Sequence, residues 1–114
     1  MLIEDDPTMM SLLNTILSME GFQVIEWQAD GDPLEDILQG SPDLVMIDVH
    51  LDERSGIDLM KEIRQEVSLK QLKVLMSSGM DYQAACLENG ADDFILKPYM
   101  PDELMDKIRN LLDN

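Results

Sequence analysis

A regular alternation of short apolar runs with longer segments of helical period constrains the fold of this chain more than any other feature of its sequence. In the longer segments apolar residues recur every three or four positions, as on one face of an amphipathic helix. The apolar runs, which predict strands, lie at residues 1–3, 22–27, 43–47, 72–76 and 93–96. Strands that alternate with helices predict a parallel sheet with helices on both faces, so we expect an α/β fold.

Helices are predicted between these runs, and their ends carry recognisable signals. Asp32 followed by Pro33 is typical of an N-cap with proline in the first turn of a helix. Gly21 and Gly40 each follow a helical segment and are expected to end it. The predicted helices cover residues 7–20, 33–39, 56–67, 81–89 and 101–112. The first strand is short because little precedes Leu2; a trimmed start and an abbreviated strand both account for this.

The length and composition fit one globular domain covering residues 1–114. A chain of 114 residues, of which 45% are hydrophobic, can build one core but not two. No apolar run is long enough to span a bilayer, and no signal-peptide pattern is present. Cys86 is the single cysteine, so it cannot form an internal disulfide. We therefore expect a cytoplasmic protein.

The charge balance is strongly acidic, with 24 acidic residues, 8 basic residues and a formal net charge of −16. Such a surface repels nucleic acid and anionic lipid, so direct binding to either is not expected. Most of these carboxylates are expected to solubilise the surface. The excess of negative charge favours divalent cations and cationic partners.

Polar residues follow four of the five predicted strands. The C-terminal ends of parallel strands share one edge, where ligands of open α/β folds bind. The second strand offers little there, which favours strand order 2-1-3-4-5 with the pocket beside the first and third strands. The residues delivered to this edge are Glu4, Asp5 and Asp6 after the first strand, Asp48 after the third, Ser77 and Ser78 after the fourth, and Lys97 after the fifth.

Clustered carboxylates repel one another, and one ammonium, that of Lys97, cannot neutralise three of them. Hard oxygen ligands favour Mg²⁺, or Mn²⁺ in its place. We expect Asp5, Asp6 and Asp48 to bind the metal and Asp48 to accept a phosphoryl group, giving an aspartyl-phosphate. Lys97 and Ser78 are expected to hold the transferred group.

Each of these residues also has a structural interpretation when it is taken alone. Asp6 before Pro7 suits an N-cap, Ser78 suits a turn, and Lys97 suits a solvated surface. Their convergence on one edge is what favours the site.

Several motifs in order along the chain resemble the receiver domain of two-component response regulators. The resemblance covers essentially the whole chain and implies a flavodoxin-like (βα)5 fold with a five-stranded parallel sheet. The motifs are the acidic pair assigned to Asp5 and Asp6, the acceptor Asp48 ending DLVMID, Ser78 in VLMSSG, and Phe94 and Lys97-Pro98 in GADDFILKPY.

The resemblance implies a phosphorelay function. A histidine kinase or His-containing phosphotransfer protein donates the phosphoryl group, and the backbone carbonyl of His50 also binds the metal. The bond before Pro98 is of the cis type. Phosphorylation draws Ser78 inward and turns Phe94, so the last two strand-helix units change their affinity for a downstream partner, an output domain or a second copy of the chain.

The chain departs from the family pattern in four places. Asp52 stands where the family usually has proline, and it adds a carboxylate near the metal. Tyr99 replaces the commoner phenylalanine. His50 and Met80 occupy positions that tune the lifetime of the phosphoryl group in the family, so that lifetime is left open.

Two other functions remain as alternatives. A Mg²⁺-dependent aspartyl phosphohydrolase, in the haloacid-dehalogenase-like pattern, needs a second aspartate two residues after the nucleophile, where this chain has His50. A phosphate-independent binding module with the same fold would not need all of the site residues, which are present. The sequence leaves open the kinase, the output and whether the chain is part of a longer regulator.

Overall fold

The structure, a computed structural model, describes residues 1–28, 30–51 and 54–113. The strands in these ranges are β1 (Leu2–Ile3), β2 (Leu44–Asp48), β3 (His50–Leu51), β4 (Arg54–Ser55), β5 (Lys73–Ser78) and β6 (Asp93–Leu96). The main sheet has four parallel strands in the order β1-β2-β5-β6, and β3 and β4 form a separate antiparallel pair. The predicted parallel α/β architecture is confirmed.

The second predicted strand, residues 22–27, is reduced to a single parallel bridge between Leu2 and Glu26. Leu2 donates its backbone N–H to Ile25 at 2.8 Å, and Trp27 donates to Leu2 at 3.0 Å. The segment thus lies beside β1, where the order 2-1-3-4-5 puts it. It gains little pairing because β1, its neighbour, has only two residues.

Within the described part of the chain, five α-helices occupy the predicted positions. They are α1 (Pro7–Met19), α2 (Pro33–Gly40), α3 (Gly56–Gln65), α4 (Gln83–Glu88) and α5 (Pro101–Leu112). Two of them, α3 and α4, are shorter than predicted by two residues or more. The extended backbone of Glu66 ends α3, a 3₁₀ turn follows at Val67–Leu69, and α4 begins after Tyr82, whose side chain makes no cap hydrogen bond. None of the helices in the described ranges has the length and hydrophobicity needed to cross a bilayer.

The core has two parts, one on each face of the sheet. Along β2 the side chains alternate, with Val45 and Ile47 in one cluster and Met46 in the other, which explains the continuous apolar run. The first cluster packs under α2, α3 and α4 and includes Ile37, Met60, Ile63 and Cys86. The second packs under α1 and α5 and includes Leu13, Leu17, Leu104 and Ile108.

The strand register brings the ends of the strands to one level. Ile3 pairs with Ile47, Asp48 with Ser77, and Ser78 with Leu96. The residues at the C-terminal ends of β1, β2, β5 and β6 therefore meet at the same edge, as expected for a parallel sheet.

Candidate functional site

Three carboxylates meet at the C-terminal edge of the sheet. One oxygen each from Glu4, Asp5 and Asp48 lies within 4.8 Å of the others. Glu4 follows β1 directly, and Asp48 is the last residue of β2, so the parallel sheet itself brings the two together. We call these three residues the carboxylate group.

The carboxylate group includes Glu4 rather than Asp6, and the metal-binding role predicted for Asp6 remains a prediction. Asp6 is exposed, and its Oδ1 accepts hydrogen bonds from the backbone N–H groups of Thr8 at 2.9 Å and Met9 at 3.4 Å. Asp6 is therefore the N-cap of α1. Glu4 is only 8% exposed and lines a small cavity with Leu2 and Asp48. Counting from the end of the strand, rather than choosing the Asp-Asp pair, would have identified it.

Lys97 is shared between two members of the carboxylate group. Its Nζ lies 3.0 Å from Asp48 Oδ2 and 3.7 Å from Glu4 Oε2. The Lys97 side chain is 20% exposed, and the Glu4 and Asp48 side chains are 7% and 11% exposed. The ammonium is thus partly withdrawn from water, so its attraction to the Asp48 carboxylate is less screened than it would be in bulk water.

Glu4 responds to this environment with a raised pKa. Burial is the main cause; a hydrogen bond and repulsion from Asp48 add to it, and Lys97 opposes it, leaving the pKa at about 8 instead of 4.5. Without a bound cation, Glu4 therefore keeps its proton near neutral pH. A divalent ion would favour the ionised form, because its charge offsets the repulsion.

The backbone around Asp48 is held tightly. Asp48 Oδ1 accepts a hydrogen bond from the N–H of His50 at 3.2 Å, and Val49 donates to the carbonyl of Ser77 at 2.8 Å. Gly56 donates to the carbonyl of Val49 at 2.7 Å. A Cβ at Gly56 would stand 2.1 Å from the Asp48 carbonyl oxygen, so this close approach requires glycine.

Ser78 and Phe94 are both buried, at 1% and 5% exposure. Ser78 Oγ accepts a hydrogen bond from the N–H of Met80 at 3.1 Å. Phe94 belongs to the core cluster under α3 and α4, and Lys97 donates its backbone N–H to Ser78 at 2.8 Å. The bond between Lys97 and Pro98 is cis, as the resemblance implied. The switching roles of Ser78 and Phe94 remain predictions.

His50 makes a contact that the sequence did not indicate. Its ring meets the ring of Tyr82 edge-on, with centroids 5.3 Å apart and planes at 75°. The His50 side chain is exposed, which agrees with the interpretation of its ring as a loop side chain. Binding of metal by its carbonyl remains a prediction, and Asp52 lies outside the described residues.

The donor chemistry of the edge fits Mg²⁺. The carboxylate group supplies hard oxygen atoms, which this ion prefers, and its negative charge exceeds that of the Lys97 ammonium. The cavity beneath, lined by Glu4, Asp48 and Ser77 among others, has a volume of about 10 Å³, roughly one water molecule. A cavity of about 330 Å³ lies at the other end of the sheet, around Met1 and Gly40. The edge therefore suits an ion and a small anionic group rather than an enclosed organic substrate.

Comparison with known proteins agrees with this geometry. Residues 1–109 match the family described as the response regulator receiver domain. Over 112 residues the chain is 37% identical to the transcriptional regulatory protein CpxR of Escherichia coli K12, an alignment that covers 98% of this chain and 48% of CpxR. The chain thus spans about half the length of this relative.

Solved structures of similar fold are also receiver domains. The BeF3-activated N-terminal receiver domain of RstA from Klebsiella pneumoniae superposes with a TM-score of 0.89 at 28% identity, covering 99% of this chain and 97% of that one. The receiver domain of NtrX from Brucella abortus gives a TM-score of 0.87 at 28% identity, with coverage of 99% and 97%. The flavodoxin-like fold is thereby confirmed, although the fifth strand is present only as the bridge to Glu26.

Proposed function

The chain belongs to the response regulator receiver domain family, and from that premise we propose that Asp48 is its phosphoacceptor. The observation that carries this proposal is the position of the Asp48 carboxylate, 3.0 Å from the Lys97 ammonium and within 4.8 Å of carboxylate oxygens from Glu4 and Asp5. The chain is a signalling domain of two-component systems rather than a conventional enzyme. The donor is a histidine kinase or a His-containing phosphotransfer protein.

Glu4, Asp5, Asp48 and the backbone carbonyl of His50 would hold Mg²⁺, or Mn²⁺ in its place. When bound, the ion neutralises charge on the transferring phosphoryl oxygens. Asp6 is left out of this set because its carboxylate caps α1. Burial raises the pKa of Glu4 to about 8, so binding of a divalent cation by this carboxylate would release its proton to solvent.

The transfer step uses the chain's own residues in three roles. An oxygen of Asp48 attacks the phosphorus, the bond from phosphorus to the donor imidazole nitrogen breaks, and the imidazole keeps the electron pair and is later protonated. The Lys97 ammonium, already beside the acceptor, stabilises the added negative charge. The Ser78 hydroxyl, which now accepts from Met80, donates to a phosphoryl oxygen.

The signal is a change of population between two states of the domain. The phosphoryl group adds about −1.5 to −2 charge at pH 7. Ser78 and Phe94 link this charge to β6, α4 and α5, whose surface then binds a downstream partner, an output domain or a second copy of the chain.

The test is exposure of the protein to acetyl phosphate and Mg²⁺, followed by intact-mass measurement. The wild type is expected to gain one phosphoryl adduct and Asp48→Asn to gain none. Asp58→Asn, at an exposed position on α3, is the matched control and should behave as the wild type. An adduct of equal yield on Asp48→Asn would contradict the assignment.

Neither alternative function is favoured. A phosphohydrolase would need a second aspartate where His50 lies, and the narrow space beneath the carboxylates does not suit an enclosed ester. A phosphate-independent module would not require the contact between Lys97 and Asp48.

A further inference from the structure

A contact between two aromatic rings joins the start of α4 to the segment that follows the acceptor strand. The rings of Tyr82 and His50 meet edge-on, with centroids 5.3 Å apart and planes at 75°. Both values are typical of a favourable aromatic pair. His50 follows β2 and Tyr82 lies just before α4, so the contact connects two separate strand-helix units.

Tyr82 is firmly held by the rest of the fold. Its side chain is half-buried and packs against the core cluster under α2, α3 and α4. Its backbone N–H donates to the Met80 carbonyl at 3.0 Å, and its carbonyl accepts from the N–H of Cys86 at 2.9 Å in the first turn of α4. The position of the Tyr82 ring is therefore set by the core and by the helix.

His50 has less support of its own. The backbone before it is held by the hydrogen bond from Val49 to Ser77, but His50 begins the two-residue strand β3, which pairs with the two residues of β4. An isolated antiparallel pair of this kind is at best marginally stable. The His50 side chain is exposed. The Tyr82 ring thus supplies a contact from the core to a short segment that is otherwise weakly fixed.

The position of His50 matters because its backbone carbonyl is a ligand in the proposed metal site. An exposed side chain samples several rotamers, and packing against a fixed ring removes much of that freedom. A segment that is already ordered loses less entropy when it binds a ligand, so its affinity is higher. Contact with Tyr82 should therefore favour binding of an ion by the neighbouring carbonyl.

We propose that Tyr82 is a positioning residue of the metal site, whose ring holds the His50 ring and so keeps the His50 carbonyl in place to bind Mg²⁺. The inference rests on the proposed function, since it assumes that this carbonyl binds the ion. Tyr82 acts through His50 and touches neither the metal nor the transferred group. The role belongs to the aromatic ring and does not need the hydroxyl.

The first test measures the Mg²⁺ affinity of Tyr82 variants by calorimetric titration. Tyr82→Leu keeps an apolar side chain on the core but removes the ring, and it should weaken binding about fivefold, within the range that one aromatic pair can contribute. Tyr82→Phe keeps the ring and should bind Mg²⁺ as the wild type does. Gln83→Ala, a change at the next and exposed position, is the matched control and should also leave the affinity unchanged.

A double-mutant cycle separates this role from a general effect on the fold. His50→Ala removes the partner ring but keeps the backbone carbonyl, so it should weaken Mg²⁺ binding to a similar extent. Adding Tyr82→Leu to His50→Ala should then cause no further loss. A fivefold loss that persists when the partner ring is already gone would overturn the inference, because Tyr82 would then act on the fold and not through His50.

Proton NMR observes the contact itself, because His50 is the chain's single histidine and its imidazole signals need no further assignment. The nearby Tyr82 ring shifts these signals through its ring current. In spectra of the metal-free protein at one fixed pH, Tyr82→Leu should move them towards the positions of a free imidazole. Tyr82→Phe should leave them near their wild-type positions.

The outcomes distinguish failure of this inference from failure of the proposed function. Equal Mg²⁺ affinity in the wild type and Tyr82→Leu would overturn the role of Tyr82 and leave Asp48 as the proposed acceptor. Identical His50 signals in the two proteins would do the same. A wild type that binds no Mg²⁺ would overturn both the inference and the metal site on which it rests.

Discussion

At the scale of single residues, Glu4 and Asp6 are both acidic and only two positions apart, yet they do different work. Glu4 is buried at the end of β1 and belongs to the carboxylate group, whereas Asp6 is exposed and caps α1. We expect Glu4→Gln to weaken Mg²⁺ binding by at least about tenfold, a loss seen even for residues that only support metal ligands. Mg²⁺ titration measures this directly.

The matched change at Asp6 should affect stability instead. Asp6→Ala should lower the free energy of unfolding by about 1 kcal/mol through loss of the cap, while Asp6→Asn should keep most of it. Neither should change the affinity for Mg²⁺. Urea unfolding and titration of both variants check the assignment, and a loss of Mg²⁺ binding in Asp6→Asn would restore Asp6 to the metal site.

Gly56 offers a second prediction at this scale. A Cβ there would stand 2.1 Å from the carbonyl oxygen of Asp48, which is backbone and cannot move aside without displacing the acceptor. Gly56→Ala should therefore lower the free energy of unfolding by about 3 kcal/mol or more. Gly79→Ala, at an exposed glycine with nothing within 4 Å of the added atom, should change it by less than about 0.5 kcal/mol. Similar unfolding curves for the two variants would contradict this account.

At the scale of elements, Arg64 joins the end of α3 to the segments that follow it. Its Nε donates to the Gly90 carbonyl at 2.8 Å, and its other nitrogens reach the carbonyls of Leu69 and Leu72 and the carboxylate of Asp92. Asp92 Oδ2 also accepts from the N–H of Val74 at 2.7 Å. One planar guanidinium thus connects the 3₁₀ turn, the start of β5 and the approach to β6.

Lysine cannot reproduce this set of hydrogen bonds, because an ammonium lacks the forked geometry. We expect Arg64→Lys to lower the free energy of unfolding by about 2 kcal/mol. The control is Arg109→Lys, where the ion pair with Glu20 is exposed and should contribute less than about 0.5 kcal/mol. Chemical denaturation of both variants measures the difference, and equal losses would show that Arg64 acts only as a surface charge.

Helices and strands whose formation depends on their own sequence pattern were predictable. A segment whose structure depends on pairing with a neighbouring strand was less so. The apolar run of β2 and the helical periodicity of α5 are visible in their own sequences. Residues 22–27 have the composition of a strand, but their pairing depends on β1, which offers two residues. The same limit applies to the site. Convergence on one edge was predictable from Asp48 and Lys97, whereas the burial of Glu4 and its approach to Lys97 depend on packing that no local pattern encodes.

At the scale of the whole molecule, the chain is acidic, and Glu4, a carboxylate whose ionisation the fold disfavours, lies at the C-terminal edge of the sheet. The formal net charge is −16, and the buried Glu4 keeps a pKa of about 8, well above the ordinary 4.5, chiefly because of its burial. The folded state therefore binds this proton more tightly than the unfolded state does. The associated stability is fully present below about pH 4.5 and is lost as the pH rises towards 8.

This sign leads to a prediction for the metal-free domain in the presence of a chelator. Between pH 5 and 8 the free energy of unfolding should fall more steeply for the wild type than for Glu4→Gln, by at least about 1 kcal/mol, since one pKa unit corresponds to about 1.4 kcal/mol. The exposed carboxylates are common to both proteins, so their repulsion cancels in the comparison. Urea unfolding at several pH values gives both curves. Parallel curves would mean that Glu4 is already ionised in the metal-free fold, and its place at the centre of the acidic edge would then need another explanation.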